Sequence, residues 1–434
     1  MTARANATNK VAQYPTSYYA ATVNDQKRRP SQQGSELCDV VVVGAGYTGL
    51  SSALHLAEKG YKVVVLEASL VGFGASGRNG GHVGVGQRTG QEDLEDMFGV
   101  EQAKTLWNYG LDAVQLVRDL VHKHAIDCDL KSGIMHFAAK SGHNAELKAE
   151  TNLLRDRYAY SDISYLDREQ ARDYIGSDRY FGAQLDRGSH HLHALNYLRG
   201  LADAAEAAGV TIYENSPVTD MQESNAVFAT TREGRIQAKY GVMACNGYLG
   251  KLDRSMAGRI MPINNFVLAT EPLAPDQAKE LIAEDTAMSD TLFVINYWKL
   301  SGDNRLLFGG GENYTASFPA DIKAFVRKYM LRVYPQLEKT KIDYAWGGTL
   351  AITLNRLPDF GKQSPSVFYA QGFSGHGVPT ATFAGKLIAE AVSGTAERFD
   401  VMASLPIRRF PGGSLLRWPG LVLGMLYYSM LDRL

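Results

Sequence analysis

The sequence predicts an α/β fold: a domain of strand–helix–strand units, interleaved with a discontinuous second α+β domain built on a mixed or antiparallel sheet. Three observations predict it. The run Val40-Val-Val-Val43 is followed at once by glycines, by apolar residues at helical spacing over 50–59, and by Lys62-Val-Val-Val-Leu66, which together make one strand–helix–strand unit. The same texture returns over 195–213 and again over 366–393. Between those returns, 261–345 mixes strand-like runs with one helix, the pattern of a different layer.

The 434 residues, 45% hydrophobic and 21% charged, suffice for a large core and favour two domains over one. Lys and Arg number 45 against 46 Asp and Glu, a net charge of -1, so no overall field favours nucleic acid or an anionic membrane. Cys38, Cys128 and Cys245 are too few and too scattered for a disulfide framework or a zinc site. No metal is expected, and a reduced cytoplasm is the natural setting. Arg28 and Arg29 lead into Pro30 and polar residues, not an apolar signal core.

Along the chain, 1–35 is a polar, loosely structured arm anchored by Tyr14, Tyr18 and Tyr19. The first domain takes 36–90, 190–262 and 346–408, and the second takes 91–189 and 263–345. From Gln91 the texture is amphipathic helix, with Leu106, Ala113, Leu116, Val117, Leu120 and Val121 on one face before His124. A helix over 195–209 leads into short strands at Val210-Thr-Ile-Tyr213 and Pro217-Val218. Strand-like runs follow at Thr291-Leu-Phe-Val-Ile295 and Arg305-Leu-Leu-Phe308, then a helix over 321–334, a strand at Ser366-Val-Phe-Tyr-Ala370 and a helix over 381–393. The tail, 409–434, contains Leu421-Val-Leu-Gly-Met-Leu-Tyr-Tyr428, well short of the ~20 residues that span a bilayer. It either packs on the protein body or touches a membrane surface peripherally.

Gly44-Ala-Gly-Tyr-Thr-Gly49 lies between strand and helix, the Rossmann-like position where glycines make a tight turn and let backbone N–H groups approach a pyrophosphate. Glu67 ends the next strand, where a carboxylate accepts hydrogen bonds from both hydroxyls of an adenosine ribose, with Ala68 and Ser69 beside it. An acid there disfavours a 2'-phosphate, which indicates NAD or FAD and not NADP. Gly72-Phe-Gly-Ala-Ser-Gly-Arg-Asn-Gly-Gly81 follows. A run this dense in glycine can lay successive N–H groups along a pyrophosphate and a flavin edge, which selects FAD.

These stretches, with Ala244-Cys-Asn-Gly247 and Gly372-Phe-Ser-Gly-His-Gly-Val-Pro379, resemble the D-amino-acid-oxidase-like family of FAD oxidoreductases over nearly the whole chain. Glycine, sarcosine and γ-glutamylputrescine oxidases belong to that family. The resemblance implies an FAD-binding first domain and a substrate-binding second domain. It assigns Gly74, Ala75, Ser76, Arg78, Asn79, Gly80 and Gly81 to the flavin, with His82 either a contact or a packing residue. Asn246 and Gly247 end a strand beside the cofactor, and Val218 matches the backbone contact to adenine. Gly372, Gly375, Gly377, Val378 and Thr380 close over the ring system, where a helix N-terminus favours developing negative charge. His376 stands among them as a flavin or substrate contact, or as a turn residue facing solvent. No thiol follows Cys245, and the early attachment position holds Asn79, so FAD without a covalent bond is expected.

Amine oxidation by a flavin needs a neutral amine and dry walls that hold a carbon over the ring. Lys299, in Asn296-Tyr-Trp-Lys-Leu300, matches a lysine that assists the oxygen reaction in sarcosine-oxidase-like relatives, although a strand lysine can equally face solvent. Tyr297, Trp298 and Trp346 either wall a pocket for a cationic amine or belong to the core. Arg356 meets a substrate carboxylate or an internal ion pair. Ser17-Tyr-Tyr-Ala20, the 74–81 run, Phe410-Pro-Gly-Gly413 and the tail from Leu421 to Tyr428 resemble the γ-glutamylputrescine oxidase subgroup. That resemblance implies an acylated diamine or polyamine as substrate, oxygen as acceptor and hydrogen peroxide as product. Two alternatives stay open: an oxidase or dehydrogenase of secondary amino acids such as pipecolate, proline or sarcosine, and a flavin-binding module without turnover.

Overall fold

The structure is a computed structural model and describes residues 12–313 and 317–413. A six-stranded sheet runs in the order Asp359–Ser364, Val367–Gln371, Tyr240–Met243, Val40–Val43, Val63–Leu66, Thr211–Tyr213. Every neighbouring pair is parallel except the edge pair Asp359–Ser364 with Val367–Gln371. Val40–Val43 and Val63–Leu66 are buried at every position, as strands covered on both faces must be. The helices Tyr47–Ala57 and Gly377–Val392 pack on each other and cover one face.

The second sheet runs Ile342–Ile352, Met261–Thr270, Leu306–Asn313, Tyr297–Leu300, Ala287–Asp290, Lys131–Phe137, Gly182–His191, His82–Val83, with Ile163–Asp167 also paired to Gly182–His191. It is antiparallel apart from the pair Ala287–Asp290 with Lys131–Phe137, which makes it the mixed sheet expected. Its own core holds Met135, Phe137, Phe266, Trp298, Phe308 and Met330. Val267, Leu307 and Trp346 join the core of the parallel sheet instead, so the two layers share packing.

Several local readings change. The amphipathic stretch from Gln91 is two helices, Gln91–Phe98 and Val100–Lys123, broken at Gly99, whose φ of 79° a helix cannot accommodate. The second helix packs on Gly377–Val392 and buries Leu106, Ala113, Val117 and Leu120 in the parallel-sheet core. Pro217 and Val218 form no strand, consistent with a proline that has no N–H to give a ladder. A small sheet forms beside them from Gly34–Leu37, Gly234–Ala238, Val227–Thr230 and Asp220–Glu223.

Thr291 to Ile295 is not a strand but the connection between Ala287–Asp290 and Tyr297–Leu300. The buried Asp290 holds that turn, accepting the Asn296 backbone N–H at 3.0 Å and its side-chain amide at 2.7 Å. The N-terminal arm is tied down from residue 12 onward. Tyr18 and Tyr19 are buried, and Tyr14 donates to the Val71 carbonyl at 2.6 Å. The apolar tail lies outside the described residues from 414 on. Among the described residues no helix is long and apolar enough to cross a membrane.

Candidate active site

Two helices begin at one place. The turn after Val40–Val43 brings Gly46 to the N-cap of Tyr47–Ala57, and the turn after Val367–Gln371 brings His376 to the N-cap of Gly377–Val392. Neither cap residue hydrogen-bonds its helix through a side chain; the Tyr47 N–H donates to the Ser76 hydroxyl at 3.2 Å, and the first-turn N–H groups beyond it are left for a ligand. Gly46, Tyr47, Thr48, Gly375, Gly377 and Val378 line one cavity of about 610 Å³. Two converging helix N-termini favour negative charge there, as a pyrophosphate and a reduced flavin both require.

Glu67 stands behind the first turn. Its two carboxylate oxygens accept the backbone N–H groups of Ala45 at 2.8 Å and Ser69 at 2.9 Å, fastening the glycine turn to the segment that follows Glu67. Burial raises its pKa, against the pull of those amides. A carboxylate has further lone pairs, so the same group can hold the turn and receive ribose hydroxyls. Glu67→Gln puts a donor where one acceptor stood. It should weaken FAD binding roughly 10- to 100-fold, the worth of one or two charge-assisted hydrogen bonds, with the dissociation constant read by flavin fluorescence. A change under about threefold would remove this role.

The 74–81 run folds on itself over the cavity. Ala75–Gly77 is one 3-10 turn. The Asn79 side chain donates to the carbonyls of Ala75 at 3.1 Å and Ser76 at 2.9 Å and accepts the Gly81 N–H at 2.8 Å. Arg78 is buried, donates to the carbonyls of Gly347 and Phe73, and offers its own carbonyl to the Trp346 indole N–H at 2.9 Å. Ala75, Ser76, Arg78, Asn79, Gly80, Gly81 and His82 all line the cavity, and so does Asn246, which accepts the Gly372 N–H at 2.9 Å.

The other expected residues stand further back. Gly44, Ala45, Ala68 and Gly74 belong to the turns behind the cavity wall, Gly49 lies in the helix Tyr47–Ala57 against the Gly44 carbonyl, Gly247 backs onto the Thr349 and Leu350 backbone, and Thr380 is buried in the first turn of the last helix. Val218 packs against the core on the opposite face of the parallel sheet.

Of the aromatic candidates, Tyr297 lines the cavity, edge-on to His82 at 5.8 Å. Trp298 faces the other side of the strand, stacked on Phe308 and Tyr180 with its indole N–H on the Tyr334 hydroxyl at 2.9 Å. It is core, because neighbouring strand residues face opposite ways. Trp346 is also core, packed edge-on against Tyr19 at 5.6 Å. Lys299 shares the face of Tyr297 but ends beneath Gly81, donating to the Leu192 carbonyl at 2.7 Å. It is buried, and burial brings its pKa down to about 8.

Arg356 lines the cavity, and among the residues the sequence did not mark so do Arg88, His136, Glu150, Asp186 and Ser289. His82, His136 and His376 are held neutral, each lowered to about 4 by loss of hydration. The His376 Nε2 is buried, and the ring lies against the Gly84 and Gly86 backbone. No group of His, Cys, Asp and Glu among the described residues is arranged to hold a metal.

A glycine turn fastened by a carboxylate at the end of the next strand, a second helix whose N-terminus lines the same cavity and a mixed-sheet wall fit a flavin-binding oxidoreductase. The model of the FAD dependent oxidoreductase family (DAO) matches residues 39–391, and the chain belongs to that family. It is 42% identical over 425 residues to gamma-glutamylputrescine oxidoreductase of Escherichia coli (strain K12), covering 98% of this chain and 100% of that one. Among solved structures it superposes on glycine oxidase from Geobacillus kaustophilus with a TM-score of 0.69 at 21% identity, over 82% of this chain and 95% of that one. It superposes on L-proline dehydrogenase from P. horikoshii with a TM-score of 0.68 at 20% identity, over 86% and 96%. The last two share the fold. The chain is an FAD-dependent oxidoreductase.

Proposed function

We propose that this enzyme oxidises the primary amine of an N-acylated diamine, γ-glutamylputrescine or a related acylated polyamine, with FAD held non-covalently. The amine-bearing CH₂ becomes an aldehyde. Water supplies its oxygen, ammonia leaves, and oxygen takes the electron pair and two protons to give hydrogen peroxide. The observation that carries this reading is one cavity lined both by the two helix N-termini and by the charged Arg88, Arg356 and Glu150, which suits a substrate that carries charge beyond its reacting amine. The 42% identity to gamma-glutamylputrescine oxidoreductase over the full chain supports the same class. Non-covalent binding is supported by the absence of any cysteine from the cavity lining among the described residues.

Bound FAD supplies the acceptor for the hydride of the amine-bearing carbon. The chain supplies the rest. Tyr297, Phe293 and Ile295 give apolar walls, and the neutral His82 and His376 add no charge, which favours the uncharged amine. Lys299, behind Gly81, is the cation that favours the charge oxygen gains. A cytoplasmic setting suits the three free cysteines, and any surface contact would come from the tail beyond 413.

The test is an anaerobic screen of purified holoenzyme against γ-glutamylputrescine, putrescine, pipecolate and sarcosine, followed by peroxide assay in air. The γ-glutamylated diamine should bleach the flavin fastest and give stoichiometric peroxide. Faster bleaching by pipecolate or sarcosine would replace the substrate class, and bleaching without peroxide would replace the acceptor.

A further inference from the structure

The cavity lining carries two carboxylates in different states. Helix Ser141–Tyr158 lays Leu147, Thr151 and Leu154 against the second sheet, and Glu150, between them in sequence, lines the cavity. Asp186, on strand Gly182–His191, lines it too. Asp186 is fully engaged: it accepts the Tyr160 hydroxyl at 2.5 Å, the N–H groups of Gly188 at 3.0 Å and Ser189 at 3.2 Å, and the Ser189 hydroxyl at 2.5 Å. Such a group builds the wall and has little left for a ligand.

Glu150 has none of this. Its carboxylate has no hydrogen bond or ion pair with any described residue, and the charges that act on it, Asp93 and Glu92, are of its own sign. Burial first, and those two acids second, raise its pKa. A half-buried carboxylate without a counterion costs free energy that a glutamine there would not. The cost is returned when a cation enters the cavity, so the position reads as half of an ion pair.

We propose that Glu150 receives the ammonium at the non-reacting end of the substrate, so that the enzyme selects diamines whose acyl group itself bears an ammonium. This rests on the acylated-diamine reading above. Holding the ammonium there fixes which end of the molecule reaches the glycine-lined wall. An acetylated diamine carries no ammonium at its acyl end.

The test uses two ligands that lack the oxidisable amine, titrated calorimetrically into holoenzyme. γ-Glutamyl-n-butylamide keeps the α-ammonium, and glutaryl-n-butylamide lacks only that group. Wild type should bind the first roughly 10- to 100-fold more tightly, as expected for a desolvated charge pair. In Glu150→Gln the gap should close to within about threefold, with the glutaryl compound unaffected. If the variant weakens both ligands equally, or keeps the gap, the assignment is overturned. The wild-type comparison needs no variant, so poor folding of Glu150→Gln would not shelter the proposal. Wild type that oxidises γ-glutamylputrescine yet binds the two butylamides equally removes Glu150 alone. Wild type that binds neither and oxidises no acylated diamine removes the substrate reading with it.

Discussion

Gly46→Val yields a folded, colourless protein. Gly46 has φ -90° and ψ -173°, an extended conformation open to any residue, so the backbone tolerates the change. The space does not. A Cβ at this position stands 2.9 Å from the Ser76 hydroxyl and occupies the cavity wall where the first helix begins. The whole isopropyl group then blocks the approach of a pyrophosphate to the N–H groups behind it. FAD affinity should fall at least about 1000-fold, and the lost ligand stabilisation, about 4 kcal/mol at 1000 times the dissociation constant, should lower Tm by several degrees. The ratio of flavin to protein absorbance and a far-ultraviolet dichroism spectrum check both halves. Gly49→Ala provides the contrast, because its Cβ would stand 1.9 Å from the Gly44 carbonyl oxygen, a clash within the turn itself, and should leave little folded protein. A yellow Gly46→Val protein at wild-type stoichiometry would remove the turn from the cofactor site.

The cofactor half of this site is legible in sequence because its parts are local. The strand, turn, helix and next strand from Val40 to Glu67 are contiguous, and each needs only its own spacing. The last helix is legible too, but its start is not. Helical spacing shows from Ala381, whereas the helix begins at Gly377, because Pro379 has its missing N–H in a first turn that needs none. The substrate half is not local. Arg88, His136, Glu150 and Asp186 come from a loop, a strand, a helix and another strand, and only the fold brings them to one cavity.

Faces are equally hidden. Tyr297 and Trp298 are adjacent and both aromatic, yet one meets the cavity and the other the core, and nothing in the strand itself says which. The apolar run at Thr291 misleads for a related reason. Phe293 and Ile295 are apolar because they wall the cavity, while the true strand beside them, Ala287–Asp290, lacks the β-branched residues that announce one.

Lys299→Met should slow reoxidation of the reduced enzyme by oxygen about 100-fold, the loss of one well-placed positive donor, and change reduction by substrate by less than about threefold. The geometry supports a specific reason. Lys299 is buried, has a single hydrogen bond among the described residues, to the Leu192 carbonyl, and ends 3.4 Å from where a Cβ on Gly81 would stand, one residue behind the cavity lining. Its charge is therefore poorly hydrated, and acts over a short path of low polarity. Burial brings its pKa down to about 8, so the cation is present below that pH and lost above it. Wild-type reoxidation should decline as pH rises through about 8, and the methionine variant should show no such limb. Stability carries the opposite sign. The unfolded lysine binds its proton more tightly than the folded one, so the burden of the buried charge is full at neutral pH and is relieved between about 8 and 10.5. The variant should gain in Tm over wild type at pH 7, and that gain should shrink toward pH 10. Stopped-flow reduction and reoxidation across this range separate the two half-reactions. Equal slowing of both, or of neither, would make Lys299 a packing residue whose charge the reaction does not use.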